Sequence, residues 1–160
     1  MRQFLLLLAF LIVSQFLYSQ EHEHEEEHHH PELEFGFSAG FVYNLTEKEA
    51  APGIHVHVIK TVSKSDKIGL GLGYERIFDD HKHNAASFII LYRPIDHLFF
   101  NIAPGISWLT TESNSAKLSM HIEGLYEWEF GSFHLGPFIG IAFNSEDFHA
   151  SVGLHLAIGF

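Results

Sequence analysis

From Leu33 onward, apolar residues alternate with small or polar ones at a period of two. The last segment shows it most strictly. Ala150, Val152, Leu154, Leu156, Ile158 and Phe160 share one face, and Ser151, Gly153, His155, Ala157 and Gly159 lie between them. That period marks a strand with one oily face. The same pattern predicts seven earlier strands. Their oily faces carry, in order, Phe35, Phe37 and Phe41; Ile54, Val56 and Val58; Ile68, Leu70 and Leu72; Phe88, Ile90 and Tyr92; Phe100, Ile102 and Ile106; Ile122, Tyr126 and Trp128; and Leu135, Ile139 and Ile141. Each runs for about ten residues, the span of a tilted membrane strand. Pro94 is expected to end the fourth strand, and Pro104 predicts a bulge or irregular pairing inside the fifth. Gly131-Ser132 reads as a two-residue hairpin turn. Longer connections (residues 45–52, 79–84, 109–116 and 144–149) alternate with shorter turns on the side of the two termini. Short periplasmic turns and longer external loops are the outer-membrane arrangement.

Side-chain size decides which face points inward. The oily face is bulky, with Phe, Tyr, Trp, Leu and Ile throughout. The opposite face is mostly Gly, Ala and Ser with some His and Glu. An eight-stranded barrel has an interior just wide enough to be filled by side chains. Small and charged residues inside and bulky apolar ones outside suit a lipid solvent; the reverse, a lipocalin-type soluble barrel, overfills the lumen. Tyr43, Tyr74, Trp108 and Phe143 fall at one end of their strands, and Tyr92, Trp128, Phe130, Phe133 and Phe160 at the other. Two such bands are the aromatic girdles of a membrane barrel. The fold class predicted is therefore all-β, an eight-stranded antiparallel up-and-down transmembrane β-barrel over residues 33–160.

Ahead of it, residues 1–19 read as a signal peptide: Arg2 gives the positive start, an oily run follows, and Ser19 is a small residue for cleavage. Residues 20–32 form a Glu/His-rich tail that cannot bury a core and is expected to be disordered alone, on the periplasmic side. The chain has no Cys, so no disulfide framework and no thiolate metal site. Its net charge of -11 argues against a nucleic-acid partner.

The alternation and the ending Leu154-His155-Leu156-Ala157-Ile158-Gly159-Phe160 resemble the small eight-stranded outer-membrane barrels of the OmpA and OmpX type, and the short barrels of Bacteroidetes. The resemblance covers the chain from Leu33 and departs from OmpA in having no peptidoglycan-binding domain. It implies location in the bacterial outer membrane, with lipid and the barrel assembly machinery as partners. It implies no single activity, since one fold hosts many functions.

The candidate chemistry is metal binding. His22, His24, His28, His29 and His30 stand among Glu21, Glu23, Glu25, Glu26 and Glu27 in the tail. Neutral imidazole with carboxylate suits Zn, Cu or Ni, and a loose tail supplies ligands in turn. The inner face offers a second set. A symmetric hairpin sets His55 opposite Glu75, and His134 opposite Glu129, close enough to share a proton or an ion; the plainer reading is a hydrogen-bonded polar plug. His81, His83 and His149 are expected to face outward from loops as ordinary surface residues. No enzyme signature emerges: Ser119 near His121, for example, lacks a third orienting group. Two function classes follow. One is a metal-handling barrel, working beside a metal transporter. The other is a non-catalytic structural or ligand- and surface-interaction barrel with no metal role. A porin-like open pore fits eight strands poorly.

Overall fold

The computed structural model describes residues 32–111 and 116–160. The alternation resolves into nine strands: β1 Leu33–Asn44, β2 Glu49–Thr61, β3 Ile68–Ile77, β4 His83–Ile95, β5 Leu98–Leu109, β6 Lys117–Tyr126, β7 Trp128–Phe130, β8 Phe133–Phe143 and β9 Phe148–Gly159. Every pairing is antiparallel. The order runs β6-β5-β4-β3-β2-β1-β9-β8-β7, and β6 also pairs with β8, which closes the sheet on itself. β6 and β7 are one stave interrupted at Glu127: Leu125 opposes Phe138 before the break and Trp128 opposes Leu135 after it, in a single register. The barrel therefore has eight staves, as the alternation predicts. Closure leaves no sheet edge, the condition for placing strands in lipid.

Proline marks where the ladders falter: at Pro104 the β4–β5 pairing is interrupted between Ser87 and Ile90 without a bulge, and two further prolines disturb the ladders more. Pro104 stays in register opposite Met120. On its other side the pairing resumes at Ile90 and Ile102 in the register it had at Ser87 and Gly105. The register shift in that pair falls between Tyr92 and Ile95, around Pro94, and β4 continues to Ile95 rather than ending at Pro94. The break in the β6–β7 stave lies opposite Gly136 and Pro137. Pro137 has no N–H for the ladder, and a Cβ at Gly136 would lie 1.7 Å from the Tyr126 carbonyl oxygen, so the two backbones touch there.

The long-and-short alternation of connections is weaker than the sequence suggests. At the end away from the termini, the loop end, the connections are residues 45–48, 78–82, 110–116 and 144–147. At the terminal end they are 62–67, 96–97 and 131–132. β2 and β4 begin earlier than expected, at Glu49 and His83, because the backbone ladder continues to the rim, with Glu49 opposite Asn44 and His83 opposite Leu109.

Outside and inside follow the predicted parity. Phe35, Phe37, Leu72, Phe88, Ile102, Ile139, Val152 and Leu156 are exposed on the outer surface. Tyr43, Tyr74, Phe78 and Phe143 ring the loop end; Tyr92, Trp128, Phe130, Phe133 and Phe160 ring the terminal end. Inside, small residues make room. A Cβ on Gly36 would fall 2.2 Å from His57 Nε2, and one on Gly73 2.5 Å from His55 Nε2. The lumen is not wholly small and polar, however. Ile59, Ile89, Leu91, Phe99, Ala103, Leu125 and Phe138 form a buried apolar cluster against β4, β5 and β6, with Ile89 fully enclosed.

Candidate functional site within the barrel

The lumen divides along its axis. In the terminal half, β1 contributes Glu34, β2 His57, β4 Arg93, β8 His134 and β9 His155, and Glu127 comes from the stave break; all are buried. Glu34 sits at the centre. Its Oε1 lies 3.7 Å from His57 Nε2, and its Oε2 lies 3.4 Å from His134 Nδ1 and 3.7 Å from an Arg93 guanidinium nitrogen. Glu127 reaches His134 Nδ1 at 3.5 Å and His155 Nε2 at 3.4 Å. His155 is pinned from its other nitrogen by Ser38 Oγ at 2.8 Å and stacks on His57 at 5.1 Å between ring centres. Arg93 also donates to Thr61 Oγ1 and to the Asp66 carbonyl, and it lies over the Phe99 ring. Charges of both signs are therefore paired in a space that admits little water.

Above this plug, a cavity opens toward the loop end, some 550 Å³ including its open mouth. Its floor is His55, Glu75 and His121, with His121 Nδ1 3.2 Å from Glu75 Oε2. Its rim is His83, Asp147 and His149. His83 opens β4 on the parity that carries Ala85 and Ser87 inward, and His149, second in β9, shares the parity of Ser151 and Gly153. His83 and His149 are 5 % and 8 % exposed. The expectation that they face outward is thus corrected: both turn into the barrel, and their rings meet edge to face at 5.3 Å. His81 does sit at the rim, half-exposed, with its Nε2 3.5 Å from Glu47.

The predicted pairs stand in the predicted register but with other neighbours. His55 opposes Glu75 and Glu129 opposes His134. Glu75, however, makes its ion pair with His121 from across the lumen, and His134 with Glu34 and Glu127. Register fixes neighbours along the sheet, whereas a narrow barrel lets inward side chains meet across its bore. His22, His24, His28, His29, His30, Glu21 and Glu23 lie outside the described residues. Among the described residues, three groups bring possible ligand atoms within 4.8 Å of one another: Glu34, His57 and His155; Glu34, Glu127 and His134; and His83, Asp147 and His149.

No protein-family model and no curated protein matches the sequence. Solved structures do match. Neisserial surface protein A aligns with a TM-score of 0.61 at 8% identity, over 80% of this chain and 97% of that one. The N-terminal β-barrel domain of Pseudomonas aeruginosa OprF aligns at 0.57 and 15%, over 82% and 100%. A de novo designed transmembrane β-barrel aligns at 0.58 and 17%, over 81% and 98%. At these identities the likeness is one of fold. The chain has the closed eight-stranded transmembrane architecture of the small outer-membrane barrels.

Proposed function

We propose that this outer-membrane barrel binds a divalent transition metal, Zn, Cu or Ni, through its histidines and carboxylates. One observation supports the reading above the rest: imidazoles and carboxylates converge inside the barrel in three groups with ligand-like spacing. Burying so many titratable groups in a small lumen is costly unless they are paired or hold an ion. In this reading residues 1–19 are a signal peptide, and the Glu/His tail of residues 20–32 lies in the periplasm together with the C-terminus. There the tail is a second, looser metal ligand set beside a metal transporter, and the loop end faces outward.

The test is metal content after purification under defined metal supply, followed by calorimetry on the folded protein. A parallel titration uses a variant with His22, His24, His28, His29 and His30 replaced by Ser. Micromolar-range affinity is expected, on the order of a flexible site, and it weakens below about pH 6.5 as imidazoles protonate. Absence of metal from both forms would return the protein to the class of non-catalytic structural or surface-interaction barrels.

A further inference from the structure

The three candidate groups differ in what their atoms already do. Around Glu34, the carboxylate faces the Arg93 guanidinium, and a metal ion there would meet a fixed positive charge. The apolar cluster and the ion-pair network fill that half of the lumen. At the loop end the situation reverses. Asp147 meets His83 Nε2 at 3.5 Å and no Lys or Arg among the described residues. Its loop is fixed by Asn144, whose Oδ1 accepts from the Glu146 and Asp147 backbone N–H groups and whose Nδ2 donates to Ser107 Oγ. His149 Nε2 is buried with no hydrogen-bond partner among the described residues. A buried polar atom left unpaired calls for an explanation such as an ion.

His83 is the best oriented of the three. Its Nδ1 is hydrogen-bonded to Asp79 Oδ2, and Asp79 Oδ1 accepts the His83 backbone N–H at 3.1 Å. A carboxylate on one ring nitrogen sets the tautomer, leaving the other nitrogen bare and more basic, as in carboxylate–histidine–metal arrangements. That bare nitrogen, Nε2, is the one aimed at Asp147. Tetrahedral coordination at about 2.0–2.2 Å places ligand atoms about 3.3–3.6 Å apart, and the His83–Asp147 separation already has that value.

We propose that His83, Asp147 and His149 form a divalent transition-metal site at the loop-end mouth, with Asp79 as the positioning residue for His83. The site rests on the metal-binding reading above and gives it a location in the folded barrel. Three protein ligands leave a coordination position open toward the cavity, so the ion exchanges with the mouth instead of being sealed in. Glu47 and Asp79 beside it, on a chain of net charge -11, draw cations to that end.

The two tryptophans make the test site-specific, because Trp108 lies at the loop end and Trp128 at the terminal end. The full-length folded protein is titrated with Cu²⁺ and Zn²⁺ in four forms: intact; with the five tail histidines replaced by Ser; with His83→Gln, Asp147→Asn and His149→Gln; and with both sets. Single-tryptophan forms, Trp128→Phe and Trp108→Phe in the tail variant, report position by Cu²⁺ quenching with the mouth untouched. The tail variant is expected to hold one ion. The added mouth substitutions should lower its affinity about a hundredfold, and Asp79→Asn about tenfold or more. Quenching should fall chiefly on Trp108. The site is overturned if the tail variant binds no ion, if the mouth substitutions leave its affinity unchanged, or if Trp128 is quenched instead. Ion binding by the intact chain alone sinks this site and leaves the metal-binding reading standing; binding by no form sinks both.

Discussion

The two halves of the lumen are built on one alternation and differ in how their charges are paired and how their space is filled. In the terminal half, Glu34 and Glu127 face Arg93, His57, His134 and His155, and Ile89, Leu91, Phe99 and Leu125 fill the remaining space. In the loop half, His83, Asp147 and His149 surround a cavity. Buried polar atoms without hydrogen-bond partners occur in both halves, but Glu34 Oε2 and His57 Nε2 in the terminal half face ion-pair partners, whereas His149 Nε2 and His55 Nδ1 in the loop half do not. Water-excluded, charge-paired interiors hold a fold together, and unsatisfied atoms around a space mark where a ligand is expected. On the metal-binding proposal, the terminal half is the packed plug and the loop half carries the site.

The largest effect is therefore expected in the terminal half. Arg93→Ala removes the cation beside Glu34, the hydrogen bonds to Thr61 and Asp66, and the contact with Phe99. Removing one partner of a buried pair costs about 3–5 kcal/mol. Urea unfolding in lipid vesicles measures it, and a loss under 1 kcal/mol, roughly the worth of an exposed pair, would erase the contrast between the halves.

The outer face supplies the next test. Leu156 is exposed there while its neighbour Ala157 is enclosed. Leu156→Arg should cost about 2–4 kcal/mol if the side chain meets lipid near the midplane. An unchanged midpoint in the same vesicles would mean that this face does not contact hydrocarbon.

Much of this was legible in the sequence, for a physical reason. Side-chain period in a strand is fixed by the pleat, so one oily residue sets the direction of every neighbour. The eight staves, the outward Phe and Leu residues and the inward His55, His57, His121, His134 and His155 all follow from parity. His83 and His149 were legible by the same rule: each shares parity with inward residues of its strand, Ala85 and Ser151, and only the reading of residues 79–84 and 144–149 as loops hid them. What parity cannot give is contact across the bore. It sets Glu75 beside His55, and only the closed barrel brings Glu75 to His121. Nor does it locate a ladder break, which depends on Pro137 lying opposite Tyr126 and Gly136 opposite Glu127.

Glycine gives a smaller, local test of the terminal half. Gly36 faces the stacked rings of His57 and His155, and a Cβ there would approach His57 Nε2 to 2.2 Å and His155 Cε1 to 2.7 Å. Gly36→Ala must displace one imidazole, and overpacking of this kind costs about 1–3 kcal/mol. Unfolding that matches the parent would show that the rings move freely and that this half is looser than its contacts imply.

The smallest expected change is the most discriminating, because its sign differs from the others. His149 is nearly enclosed, yet its Nε2 has no hydrogen-bond partner among the described residues. In the metal-free protein that nitrogen has lost its water and gained nothing, and exchanging an unsatisfied polar group for an apolar one of similar size is close to neutral or stabilising. His149→Leu should therefore change unfolding of the metal-free protein by no more than about 1 kcal/mol, and toward greater stability. Adding Zn²⁺ should raise the stability of the parent and not of this variant, since a ligand that binds only the folded state stabilises it by mass action. The two measurements together separate binding from structure at this residue. A metal-free loss of the size expected for Arg93→Ala would make His149 a structural member of the barrel, and the halves would then differ in shape but not in role.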